Sequence, residues 1–165
     1  RAIGMSIDIL AADYRDPRHA QDLGYLLNCY ALDPMGGGEA LPEQVRSRLA
    51  GELAALPHAF SVLCYVDGEP AGLVNCFEGF STFQCRRLVN IHDVVVLEEF
   101  RGRGISSLML AEVEAIARHR DCCKLTLEVL EGNPGAQRAY RRFGFEGYQL
   151  DPAAGSAMFW QKSLD

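Results

Sequence analysis

The feature that most narrows the choice of fold is one stretch, VVVLEEFRGRGISSLMLAEVEAIARHR, residues 94–120. A valine-rich run reads as a strand, a turn carrying two glycines and two arginines follows, and apolar residues then recur at helical spacing. A strand that passes through a glycine-rich turn into a helix makes an anion site. The first N–H groups of the helix have no partner within it, and the helix dipole adds partial positive charge there. Glycine removes the side chain that would hold phosphate oxygens away from the backbone. Arg101 and Arg103 add charge at the rim. A pyrophosphate suits such a turn. Two familiar phosphate loops fit poorly: Gly104 is followed by Ile105 and Ser106 and not by Lys-Ser/Thr, and GRGISS lacks the third glycine of the dinucleotide fingerprint and lies late in the chain.

The rest of the chain supplies a frame for this turn. SIDILAADY (6–14) reads as an opening strand and RHAQDLGYLLNCYAL (18–32) as a helix; DPMGGGEALP is loop, and LPEQVRSRLAGELAAL (41–56) is a second helix with Pro42 in its first turn. AFSVLCYV, the turn DGEP and AGLVNCFEGF read as a β-hairpin, followed by a strand at 87–97. A helix over 104–120, a buried strand at 124–130, and a helix from Pro134 to Gly144 capped by Asn133 come next. The tail GSAMFWQKSL is expected to close the sheet as a last strand. This order predicts an α/β fold, a mixed sheet with helices on its faces.

At 165 residues the chain reads as one domain over 5–165, with Met5 as the native start and residues 1–4 a remnant ahead of it. The net charge of −6 argues against a nucleic-acid partner. No apolar run approaches the roughly 18 residues of a membrane span and no secretory pattern opens the chain, so a cytoplasmic setting is expected, with no membrane partner. The six cysteines form no C-x-x-C pair and sit mostly in apolar runs; they read as core residues, and no metal is expected.

The motif Arg101 to Ser106, R-x-x-G-x-small after VVVLEEF, resembles the acetyl-CoA-binding motif of the GNAT family of N-acetyltransferases, written Q/R-x-x-G-x-G/A. LTLEVLEGNPGAQRAYRRFGF is similar to the family's second signature, carried by Asn133, Ala136, Tyr140, Gly144 and Phe145. Ser106 departs from the usual Gly or Ala but is small, and its hydroxyl can donate to a phosphate. The resemblance is close over residues 87–147. It implies the GNAT fold, a mixed, mostly antiparallel twisted sheet flanked by about four helices, and acetyl transfer to an amine by direct attack in a ternary complex.

Three tasks then need residues. An amine of pKa about 10.4 is neutral only about once in 2,500 at pH 7, so a base is required. The carbonyl oxygen needs donors as it becomes negative, and the resemblance implies backbone N–H groups of Val94, Val95 and Val96. The CoA thiolate needs an acid nearby, and the resemblance implies Tyr140. For the base, the protein N-terminal branch implies Glu128, while His92 titrates near neutrality; the two stay open. The polyamine branch carries a glutamate at the place of His92, so histidine is a departure there. His92 and Asp93 are adjacent on a strand, which would send them to opposite faces. Arg101, Gly102, Arg103, Gly104, Ile105, Ser106 and Ser107, with Asn133 and Ala136, are implied to hold acetyl-CoA. Arg138, Arg141 and Arg142 read as a solvated basic face. The acceptor is expected to be a small-molecule or peptide amine. A protein acceptor and a non-catalytic acyl-CoA sensor are the rivals, and the last strand is a candidate homodimer edge.

Overall fold

A computed structural model describes residues 4–148 and 151–165 of the chain. Its elements in order are β1 (Ile7–Ala11), α1 (Pro17–Leu32), α2 (Glu43–Ala54), β2 (Ala59–Val66), β3 (Glu69–Ser81), β4 (Arg86–Val96), α3 (Ile105–His119), β5 (Leu125–Leu127) and α4 (Pro134–Phe143). The five strands lie in sequence order; β1 to β4 pair antiparallel and β5 joins β4 parallel. This is the mixed, mostly antiparallel sheet with four helices that the sequence implied.

Local chemistry explains the boundaries. Asp13 folds the chain after β1, its Oδ1 accepting from the Arg15 N–H at 3.0 Å, which ends the strand at Ala11 rather than at Tyr14. Asp16 caps α1 through the N–H groups of Arg18 and His19, with Pro17 at the first helical position. Asp67 and Gly68, at φ 49° and 80°, make the two-residue turn of the β2–β3 hairpin. Asn133 caps α4 by accepting from the Ala136 N–H at 3.2 Å.

Helices cover both faces. α3 presents Ile105, Met109, Leu110, Val113 and Ala117 to Val62, Cys64, Val74, Val89 and Ile91 on one face. Each large apolar side chain so buried contributes about 1.5–3 kcal/mol. Gly72 permits the approach: a Cβ there would sit 2.8 Å from Met109 Cε and 3.1 Å from the Val95 carbonyl oxygen. On the other face Leu23, Leu26 and Leu53 of α1 and α2 pack with Leu63, Leu73, Val95 and Leu97.

Two expectations need correction. The strand expected at 124–130 pairs only over Leu125–Leu127, and Val129 and Leu130 beyond it are exposed. The tail is not a strand in this chain; Met158, Phe159 and Trp160 are 74%, 76% and 79% exposed and nothing pairs with them among the described residues. Aromatic content favours a pleated, half-buried surface, but a strand also needs a neighbour that completes its ladder. Among the described residues no helix is long and apolar enough to cross a membrane.

Candidate active site

The turn after β4 has the conformation an anion site requires. Gly102 and Gly104 take φ of 78° and 75° with open space where a Cβ would stand, and Gly104 occupies the cap position of α3. No side chain caps that helix end, and its first helical hydrogen bond is the Leu108 N–H to the Gly104 carbonyl at 3.1 Å. The N–H groups of Ile105, Ser106 and Ser107 therefore face the turn. Arg101 and Arg103 are exposed but engaged: Arg101 Nε donates to the Val96 carbonyl at 3.0 Å and its guanidinium lies 3.5 Å from Asp33, while Arg103 donates to the Glu99 carbonyl at 3.2 Å.

A cleft opens beside this turn because the sheet splits. The last β4–β5 pair is Ile91 with Leu127; past it β4 continues along β3 alone. The Leu97 N–H donates inward to the Ala71 carbonyl at 2.9 Å. An antiparallel ladder alternates, so Val95 also bonds inward while Val94 and Val96 turn their N–H and C=O groups to the split. The Arg101 bond to the Val96 carbonyl shows that outward direction. Val95 differs from its two neighbours: its side chain is 3% exposed in the core under α1.

At the same level β4 carries a bulge. Asn75 pairs with Asp93 but Cys76 with Ile91, so His92 is the extra residue. Adjacent strand residues alternate faces only in a regular ladder, and a bulge breaks that rule. Asp93 accepts from the Asn75 side chain at 3.0 Å and His92 packs edge-on against Phe77, ring centroids 5.4 Å apart. Phe77 belongs to the cluster under α1 and α2, so His92 and Asp93 share that face, contrary to the expectation of opposite faces. Glu128 follows β5 directly; it and His92 are exposed where the strands part.

Tyr140 projects from α4 into the α3 side, against Phe145 at 5.9 Å between ring centroids. Burial, with a smaller contribution from Tyr30, pushes its phenol up to about 12. Tyr30, on the opposite face, is itself pushed up by burial and then by Asp93 and Asp33. The two phenols pack in the clusters on opposite faces of the sheet. Asn133 and Ala136 form the first turn of α4, and Arg138, Arg141 and Arg142 are exposed. Among the described residues no three His, Cys, Asp or Glu side chains converge as a metal set.

Sequence reasoning missed Tyr30, Asp33 and the polar residues inside the sheet. Asn75 within AGLVNCFEGF and Ser61 within AFSVLCYV were the available signals, polar residues in runs that otherwise read as core.

The comparisons agree with this fold. An uncharacterized N-acetyltransferase of Methanocaldococcus jannaschii is 35% identical over 85 residues, 51% of this chain and 38% of that protein. Streptothricin acetyltransferase of Streptomyces lavendulae is 36% identical over 87 residues, covering 53% and 44% of the two chains. Thialysine N-epsilon-acetyltransferase of Bos taurus is 33% identical over 84 residues, covering 47% and 48%. The chain spans half or less of the length of these curated relatives. In fold it is similar to an aminoglycoside N-acetyltransferase solved with CoA, with a TM-score of 0.77, 18% identity and 98% of each chain covered. A soil-metagenome aminoglycoside acetyltransferase solved with sisomicin also has a TM-score of 0.77, at 12% identity over 96% of this chain and 97% of that one. The family model described as "Acetyltransferase (GNAT) family" matches residues 18–145, the span that holds the turn, the split sheet and Tyr140; the chain belongs to that family.

Proposed function

We propose that the protein is an acetyl-CoA-dependent N-acetyltransferase acting on a small-molecule primary amine. The observation that carries this reading is the uncapped, doubly positive-φ turn at the start of α3, set beside the point past Ile91 where β4 and β5 stop pairing. The turn, with Gly102, Gly104 and the N–H groups of Ile105 to Ser107, would take the pyrophosphate of acetyl-CoA. Asn133 and Ala136 would flank its pantetheine arm. Outward N–H groups of Val94 and Val96 would meet the thioester carbonyl oxygen as it becomes negative.

The amine nitrogen attacks the carbonyl carbon, the C–N bond forms, and the C–S bond breaks. The nitrogen's proton passes to a base, Glu128 or His92, both exposed at the mouth of the split. Tyr140 gives its proton to the departing thiolate. Its phenol, pushed up to about 12 by burial, carries its proton at neutral pH.

Relatives named for streptothricin, thialysine and aminoglycosides support a small-molecule acceptor, and the net charge of −6 suits a cationic one. Six free thiols are in keeping with a cytoplasmic setting. A homodimer belongs to the same reading. The outer edge of β5 opens on a groove of about 310 Å³ lined in part by Cys122, Leu125, Phe143 and Phe145, and the apolar tail of a second copy is its occupant.

The test is CoA-thiol release from acetyl-CoA against polyamines, amino acids, aminoglycosides, thialysine and short peptides, with Glu128→Gln and His92→Gln alongside. Turnover with one small amine, abolished by one variant, names the acceptor class and the base. Turnover with peptides alone moves the acceptor to a protein. No acetyl-CoA binding in calorimetry would sink the reading.

A further inference from the structure

The sheet face beneath α1 and α2 carries one line of polar side chains through an apolar layer. The Tyr14 hydroxyl lies 2.8 Å from Ser61 Oγ, Ser61 Oγ donates to Asn75 Oδ1 at 2.6 Å, and Asn75 Nδ2 donates to Asp93 Oδ2 at 3.0 Å. Ser61 is opposite Asn75 and Asn75 opposite Asp93 in the register, so the line runs straight across β2, β3 and β4. Ser61 and Asn75 are 1% and 4% exposed.

Hydrogen counting fixes its direction. A serine hydroxyl has one hydrogen, and Ser61 spends it on Asn75. Tyr14 must therefore donate to Ser61. Every hydrogen in the line points toward Asp93, which receives and does not give. Tyr14 holds its proton firmly, its phenol pushed up chiefly by burial.

Such a line is expensive to build among Leu63, Leu73 and Val95. A buried polar group left unpaired is destabilising, and here every member of the line is paired. A fully paired network inside a core rigidifies the residues it joins. The geometry it fixes is that of the bulge, one step beyond the last β4–β5 pair, where Asp93 is only half-buried.

Resting on the acetyltransferase reading, we propose that Tyr14, Ser61 and Asn75 are positioning residues that hold the Asp93 carboxylate at the mouth of the split, where it pairs with a cationic nitrogen of the acceptor. Asp93 thereby sets the preference for an acceptor bearing positive charge, while proton removal is left to Glu128 or His92.

The experiment is steady-state kinetics with an acceptor that gives turnover, on wild type, Asp93→Asn, Asn75→Ala, Tyr14→Phe and the doubles that include Asp93→Asn. Acetyl-CoA affinity by calorimetry and thermal midpoints by circular dichroism are measured in parallel. Asp93→Asn should raise the acceptor KM by roughly 10-fold or more, the size of a lost charge-assisted contact, with acetyl-CoA affinity unchanged. Asn75→Ala and Tyr14→Phe should raise it in the same sense, and neither should raise it further once Asp93 is Asn, because both act through that carboxylate. A packing role alone would lower the midpoint and leave acceptor KM where it was. Should Asn75→Ala fail to fold, the Tyr14→Phe cycle decides. Additive effects on KM, or an Asp93→Asn enzyme with wild-type KM, would overturn the proposal while leaving acetyl transfer standing. Absence of acetyl transfer by the wild type would remove the broader reading and this one with it.

Discussion

In the proposed mechanism Tyr140 has one part in catalysis and another in stability. As the acid for the leaving thiolate it should be needed for turnover and not for binding. Tyr140→Phe is expected to lower kcat by roughly 10²-fold with acetyl-CoA affinity unchanged in calorimetry; unchanged kcat would remove the acid role. Its phenol, ordinary at 10.0 in the unfolded chain, is raised to about 12 in the folded one. Between those values the folded state binds the extra proton, so stability is whole below pH 10 and falls as pH rises toward 12. Urea unfolding at pH 9 and at pH 11 should show a smaller loss in Tyr140→Phe than in wild type. At this scale the motif residues were legible because turns and caps are local chemistry: Gly104 and Asn133 stand where the letters put them. The face of His92 was not legible, because a bulge one residue long is set by the partner strand.

Among the elements, the hairpin and the helices were legible in hydrophobic period and punctuation, since Asp67-Gly68 and Asp16-Pro17 fix their own backbone. β5 was not. Its apolar run continues to Leu130, but pairing stops at Leu127 because the ladder opens into the cleft. α4 buries no residue fully, although its apolar residues Tyr140 and Phe143 pack on the α3 side. Two substitutions probe how the elements are joined. Gly72→Ala brings a methyl against Met109 and the Val95 carbonyl, and should destabilise by about 1–3 kcal/mol in denaturant unfolding, through separation of α3 from β3. Gly104→Ala meets no neighbour but must hold φ near 75°, a conformation that costs an alanine about 1–2 kcal/mol. Its expected outcome is roughly tenfold weaker acetyl-CoA binding with a small change in thermal midpoint.

For the molecule as a whole, a mixed sheet with helices on both faces followed from the element order, while the strand order and the ends of the sheet did not. An edge is decided by what lies beside it, and residue preference in Met158, Phe159 and Trp160 carries no information about that neighbour. Sedimentation at rising concentration should show a dimer in the full chain and a monomer after deletion of residues 155–165; a monomer in both would remove the tail from any interface. One consequence is spectroscopic. The chain has a single tryptophan, Trp160, and it stands in the exposed tail away from both apolar clusters. In the monomer indole emission will therefore follow the tail and stay silent while the sheet melts; in the proposed dimer it will instead report release of the tail from the β5 groove. A heating curve read by fluorescence and one read by circular dichroism should separate, and that separation would report two events at two places, not a folding intermediate.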